Sequence, residues 1–122
     1  MRIAISTDDK NGLESTASHH FGRCPCYVFV DFEGTKITTV NSVDNPFFER
    51  HEPGQVPGFI NENNVKVMIS GGMGRRAIDF FDQYGIQVAT GASGKVSDVI
   101  QNYLDGRLSG AAPCVESVSH DC

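Results

Sequence analysis

The segment Val65 to Tyr84 restricts the fold more than any other part of the chain. Val65-Lys66-Val67-Met68-Ile69 is a nearly continuous β-branched and apolar run, the mark of a strand covered on both faces. It passes directly into Ser70-Gly71-Gly72-Met73-Gly74 and then into a segment of helical periodicity. Ala77, Phe80, Phe81 and Tyr84 recur at i, i+3, i+4 and i+7, and Gly85 stands where a C-terminal cap is expected. Strand, tight turn and helix in that order imply an α/β domain.

The flanking chain extends the pattern. Arg2 to Ser6 reads as a strand with Ile3 and Ile5 on one face and Ala4 on the other, followed by a polar loop from Thr7 to Ser18. Tyr27 to Asp31 and Lys36 to Val40 read as two more strands joined at hairpin length through Phe32-Glu33-Gly34-Thr35, which makes the first three strands antiparallel neighbours. Asn41 to Pro53, with Asn45-Pro46 and Glu52-Pro53, is expected to be a loop. A short helix over Gln55 to Glu62 would bury Val56, Phe59 and Ile60, with Pro57 tolerated in its first turn. Ile86 to Ala89 is a further buried strand, parallel to the Val65 to Ile69 strand. A last helix from about Gly94 carries Val96, Val99, Ile100, Tyr103 and Leu104 inward, with Gly106 as its stop. The order βββαβαβα predicts a mixed five-stranded sheet flanked by helices. Residues 1–108 form one domain, and 109–122 are expected to be a flexible tail bearing Cys114, His120 and Cys122.

Composition narrows the function classes. A chain of 122 residues suits a single core without disulfide staples. Ten basic against fifteen acidic residues give a net charge of −5, which disfavours a general nucleic-acid binder. No apolar run is long enough to span a bilayer, and Met1 to Ser6 is too short for a signal peptide. The expectation is a cytoplasmic protein whose four cysteines are thiols or metal ligands.

Two segments carry candidate chemistry. In the first, the glycines of Ser70 to Gly74 free backbone N–H groups at a helix start that supplies roughly half a unit of positive charge. Arg75 and Arg76 add full cations there, where they oppose the helix dipole unless an anion offsets both. The bland alternative is a tight turn with solvated arginines, and no Walker sequence is present. In the second, His19-His20-Phe21-Gly22-Arg23-Cys24-Pro25-Cys26 gathers imidazoles, a guanidinium and two thiols just before a strand. With Cys24 to Cys26 extended, both sulfurs would point to one face and meet one metal; the alternative is that each is a small buried hydrophobe. His51 is a further candidate ligand if its loop folds over the glycine turn.

These residues together resemble a known family. His20-Phe21-Gly22-Arg23-Cys24-Pro25, then Val43-Asp44-Asn45-Pro46, then Ser70 to Ala77 and Gly85-Ile86-Gln87-Val88 are similar, in order and spacing, to the dinitrogenase iron–molybdenum cofactor biosynthesis family, over Met1 to about Leu108. The resemblance implies a ribonuclease-H-like α/β fold and non-catalytic binding or carriage of a metal–sulfur cluster of iron–molybdenum, iron–sulfur or molybdenum–sulfur type. It implies cofactor contacts from Phe21, Gly22, Arg23, Gly71, Gly72, Met73, Gly74 and Arg75, and metal ligands among His19, His20, Cys24, Cys26 and His51. Its partners would be proteins that donate or accept the cluster, with no nucleic acid and no membrane. Such clusters are anionic, accept N–H hydrogen bonds through sulfur and take Cys or His as end ligands. The chain departs from the pattern in Cys26, where an aromatic residue is expected, and in its Cys- and His-bearing tail.

Other readings stand beside it. Cys24, Cys26, Cys114 and Cys122 offer a structural zinc site. A ribonuclease-H-like nuclease would need aligned carboxylates, but Asp8 and Asp9 follow the first strand and Val65 to Ile69 carries no acid. A domain binding a phosphorylated small molecule at the glycine turn is a further alternative.

Overall fold

The computed structural model describes residues 1–49, 52 and 54–110. One mixed sheet runs through the molecule. Its strands are β1 (Arg2–Thr7), β2 (Cys26–Glu33), β3 (Lys36–Asp44), β4 (Val67–Ile69), β5 (Gln87–Thr90) and β6 (Ser109–Gly110), in the spatial order β3-β2-β1-β4-β5-β6. Three helices complete the fold: α1 (Gln55–Glu62), α2 (Arg75–Tyr84) and α3 (Val96–Leu104).

The hydrophobic alternation of β1 sets the register. Ile3 and Ile5 lie opposite Val30 and Val28 in the antiparallel ladder with β2 and beside Val67 and Ile69 in the parallel ladder with β4. These six residues pack against Val96, Val99 and Ile100 of α3. Ala4 points the other way, into a core with Phe21, Tyr27, Phe29 and Met68, closed by Val56 and Ile60 of α1 and by Ala77 and Phe81 of α2. The sheet is therefore the middle of three layers, with α3 on one side and α1 and α2 on the other.

Several expectations are corrected. Strand β3 continues past Val40 to Asp44, because Asn41, Ser42 and Val43 pair with Phe29, Val28 and Tyr27 of β2. On an edge strand polar side chains can face water, so the ladder overrides their weak strand propensity. Ser109 and Gly110 add a sixth strand, antiparallel to β5, where the chain was expected to have left the sheet. The ladder of β4 begins at Val67 rather than Val65. In α2 the inward residues are Ala77, Ile78 and Phe81, while Tyr84 is 39% exposed. Leu104 at the end of α3 is 39% exposed as well. Both sit in last turns that run beyond the sheet they cover.

Candidate functional site

In a parallel arrangement the loops that leave the carboxyl ends of neighbouring strands converge, and ligands of α/β sheets bind there, where adjacent connections diverge. Strand β1 is parallel to β4, and β4 to β5. From β1 the chain continues to β2 on one side, and from β4 through α2 to β5 on the other. The crevice therefore lies above Thr7, Ile69 and Thr90, and three loops meet in it.

Gly71 is the node. Its N–H donates to Ser18 O at 2.9 Å, and its carbonyl accepts from Gly91 N–H at 3.0 Å. A Cβ at Gly71 would lie 2.6 Å from His19 Cα, 2.8 Å from Ser18 O and 3.1 Å from Ala92 O. Glycine is required here for close approach of three backbones, and neither Gly71 nor Gly74 has a left-handed φ. Ser70 locks the turn from within, its hydroxyl donating to Gly72 O at 2.9 Å. Gly74 then caps α2 in extended conformation with no side-chain hydrogen bond. Among the described residues the amides of Gly72, Met73 and Gly74 donate to no backbone carbonyl. A row of open N–H groups thus leads into a helix start flanked by exposed Arg75 and Arg76, a local field that favours an anion.

The second loop is nailed down by one side chain and one clamp. Phe21 is 1% exposed and meets Phe81 of α2 edge-on with centroids 5.1 Å apart. Asn45 is buried at the end of β3. Its amide donates to Gly22 O at 3.2 Å and Cys24 O at 2.9 Å, its carbonyl oxygen accepts from Phe47 N–H, and its own N–H donates to Pro25 O. This holds the backbone of Gly22 to Pro25 while Arg23, His19 and His20 remain exposed. The third loop, Gly91 to Lys95, closes the far side through Ala92 N–H to Ser70 O and Ala17 N–H to Gly94 O.

The structure brings both sequence segments to one place and refines what each contributes. Met73 is wholly buried, and Phe21 nearly so, so their side chains are anchors and only their backbones face the crevice. Cys24 and Cys26 do not point to one face. Cys26 sits opposite Thr7, with its sulfur 3.3 Å from the Thr7 hydroxyl, on the α3 side of the sheet. Cys24 belongs to the opposite core, where its thiol donates to Phe21 O at 3.0 Å. The irregular backbone at Pro25 breaks the alternation that would have aligned them. Both are free thiols. Burial pushes Cys24 up to about 11, against a smaller pull from the Tyr27 and Ser6 hydroxyls, and burial also raises Cys26. Among the described residues no three His, Cys, Asp or Glu side chains are grouped to hold a metal ion. His51 and the tail residues Cys114, His120 and Cys122 lie outside the described residues.

Sequence reasoning missed the Asn45 clamp, the Gly91 to Lys95 wall and the Ser6 and Ser70 hydroxyls. Gly91 and Gly94 directly after a buried strand were the available signal for the wall. A groove of about 320 Å³ lined by Ile78, Asp82 and Gly85 to Val88 lies at the other end of α2 and shares no residue with the crevice. No helix among the described residues is long and apolar enough to cross a membrane.

Three glycine-bearing loops around an open helix start, at the carboxyl ends of parallel strands, define an α/β protein of the anion-cradling class. The chain belongs to the family described as dinitrogenase iron–molybdenum cofactor, whose family model matches residues 1–106. Solved structures agree. The chain is similar to the protein PH0822, with 42% identity, a TM-score of 0.80 and coverage of 90% of this chain and 96% of that one. It is similar to the orange protein of Desulfovibrio gigas, solved in its apo form, with 25% identity, a TM-score of 0.81 and coverage of 92% and 93%. A third likeness is to a NifB-type protein of Thermotoga, with 25% identity, a TM-score of 0.75 and coverage of 98% and 95%.

Proposed function

We propose that this protein binds and carries an anionic metal–sulfur cluster, of iron–molybdenum or iron–sulfur type, in the crevice above β1, β4 and β5, without catalysing turnover. The observation that carries the reading is the open amide row from Gly72 into the α2 N-terminus, beside Arg75 and Arg76 and facing a loop that exposes His19, His20 and Arg23. Sulfide edges of a cluster accept N–H hydrogen bonds, and the cationic rim offsets its charge. The family's name and the apo form in which the orange protein was solved support a cluster as cargo. The cargo would pass between donor and acceptor proteins in the cytoplasm, where thiols such as Cys24 and Cys26 stay reduced. The order β3-β2-β1-β4-β5 supports the ribonuclease-H-like reading of the fold.

The test is anaerobic reconstitution of apo-protein with iron, molybdate and sulfide, followed by gel filtration, elemental analysis and absorption spectroscopy. Metal and inorganic sulfide should co-elute with wild type, and the double variant Arg75→Glu, Arg76→Glu should retain at least tenfold less. Failure of wild type to retain any cluster, or equal retention by the double variant, rejects the proposal.

A further inference from the structure

Among the described residues one buried side-chain polar atom has no hydrogen-bond partner, the hydroxyl oxygen of Ser6. Ser6 is wholly buried, opposite Tyr27 in the β1–β2 ladder and one step beyond the Ile5–Ile69 pair of the β1–β4 ladder. That register sets it on the α2 side of the sheet, beneath the seam between the Phe21 to Cys24 loop and the glycine turn. Ser70, its neighbour on β4, already uses its hydroxyl on Gly72 O. A buried hydroxyl without a partner is destabilising, and alanine would fill the same space without that penalty.

The neighbour that can use this donor is Cys24. Its sulfur now donates to Phe21 O, the carbonyl that also accepts from Tyr27 Oη at 2.7 Å. The Tyr27 and Ser6 hydroxyls are the side chains that favour negative charge on it. Among the described candidates Cys24 is the soft ligand on the crevice side of the sheet, since Cys26 lies on the opposite face beside Thr7.

We propose that Cys24 is the protein ligand of the cargo, bonding a soft metal atom at the cluster's inner edge, and that Ser6 is a positioning residue that donates its free O–H to that sulfur. The inference rests on the cluster-carrying reading above. On binding, the metal exchanges one labile ligand such as water for the Cys24 sulfur, the thiol proton passes to solvent, and no electron is transferred. Loss of that proton ends the hydrogen bond from sulfur to Phe21 O. Tyr27 still holds the carbonyl, so the loop stays docked while the sulfur turns to the metal. A metal-bound thiolate accepts hydrogen bonds and no longer donates them, and Ser6 supplies the donor that the ligand-free state leaves idle.

Wild type, Cys24→Ser and Ser6→Ala, each labelled with ³⁴S-cysteine, are reconstituted with iron, molybdate and unlabelled sulfide, and resonance Raman spectra are recorded. Wild type should show a metal–sulfur stretch that moves with the cysteine isotope, and Cys24→Ser should lack it. Ser6→Ala should keep that mode at raised frequency and lose metal about tenfold faster, yet melt at higher temperature than wild type when ligand-free. A cluster retained without an isotope-sensitive mode, or a mode persisting in Cys24→Ser, overturns the assignment while leaving the carrier reading intact. A Ser6→Ala protein with unchanged frequency and retention overturns the role of Ser6. If no protein retains a cluster, both readings fall together.

Discussion

The two faces of the sheet are packed with different chemistry. On the α3 side the core is aliphatic, built from residues such as Ile3, Ile5, Val28, Val30 and Ile100, and joins a strand to a helix without reaching a functional loop through a large side chain. On the other side it is aromatic and sulfur-bearing, and two of its members, Phe21 and Met73, are themselves residues of the crevice loops. Aliphatic packing fixes the register of the sheet. The aromatic face does that and also hands its rigidity to the site, because an anchored ring fixes the backbone that carries it.

That contrast can be broken by substitution. The largest effect is expected for Phe81→Ala, which removes the ring beneath Phe21 and should destabilise the fold by about 3–5 kcal/mol in urea titration, with loss of cluster retention at temperatures where the variant is still folded. Gly71→Ala should destabilise by about 1–3 kcal/mol, since its Cβ meets backbone at His19 and Ser18 that cannot yield without opening the crevice. Asn45→Ala should lower stability by about 1–2 kcal/mol and speed amide exchange in the Gly22 to Cys26 loop, measurable by hydrogen-exchange mass spectrometry. On the aliphatic face Ile100→Val should lower stability by about 1 kcal/mol and leave cluster retention unchanged. Equal loss of retention in Ile100→Val and in a matched aromatic-face variant would abolish the distinction.

The smallest effect is one of pH, and it lies at the opposite end of β1. The Arg2 guanidinium, bonded to Asp31 at 2.8 and 3.1 Å, holds that carboxyl down at about 2, with help from the Thr39 hydroxyl. A depressed folded value means the stabilisation is full above the ordinary carboxylate range and fades as pH falls from about 4 to about 2. The pair is partly solvated, so the effect should stay below about 1 kcal/mol. Wild type should be more stable than Asp31→Asn near neutrality, and their denaturation midpoints should converge at about pH 2.

The helices and the inner strands were legible because their apolar periodicity is local. Ile3 and Ile5 against Ala4 predicted the two faces of β1, and Val67 to Ile69 predicted a central strand. The continuation of β3 through Asn41 to Asp44 was not legible, because polar residues on an edge strand are held by a partner the sequence does not name. The glycine turn and the His19 to Cys26 segment were legible as separate chemistries. Their meeting at Gly71, and the clamp by Asn45, depend on contacts between residues 50 or so positions apart in the case of Ser18 and Gly71.

By itself the sequence determined the α/β class, the family resemblance and the position of an anion-favouring helix start, all of which follow from short-range pattern and residue type. Only the tertiary structure decided that Phe21 and Met73 anchor inward, and that Cys24 and Cys26 lie on opposite faces. It also decided that Ser6 is a buried donor without a partner. The physical reason is that side-chain direction at an irregular backbone, and the satisfaction of a buried polar atom, are set by neighbours from distant strands and loops.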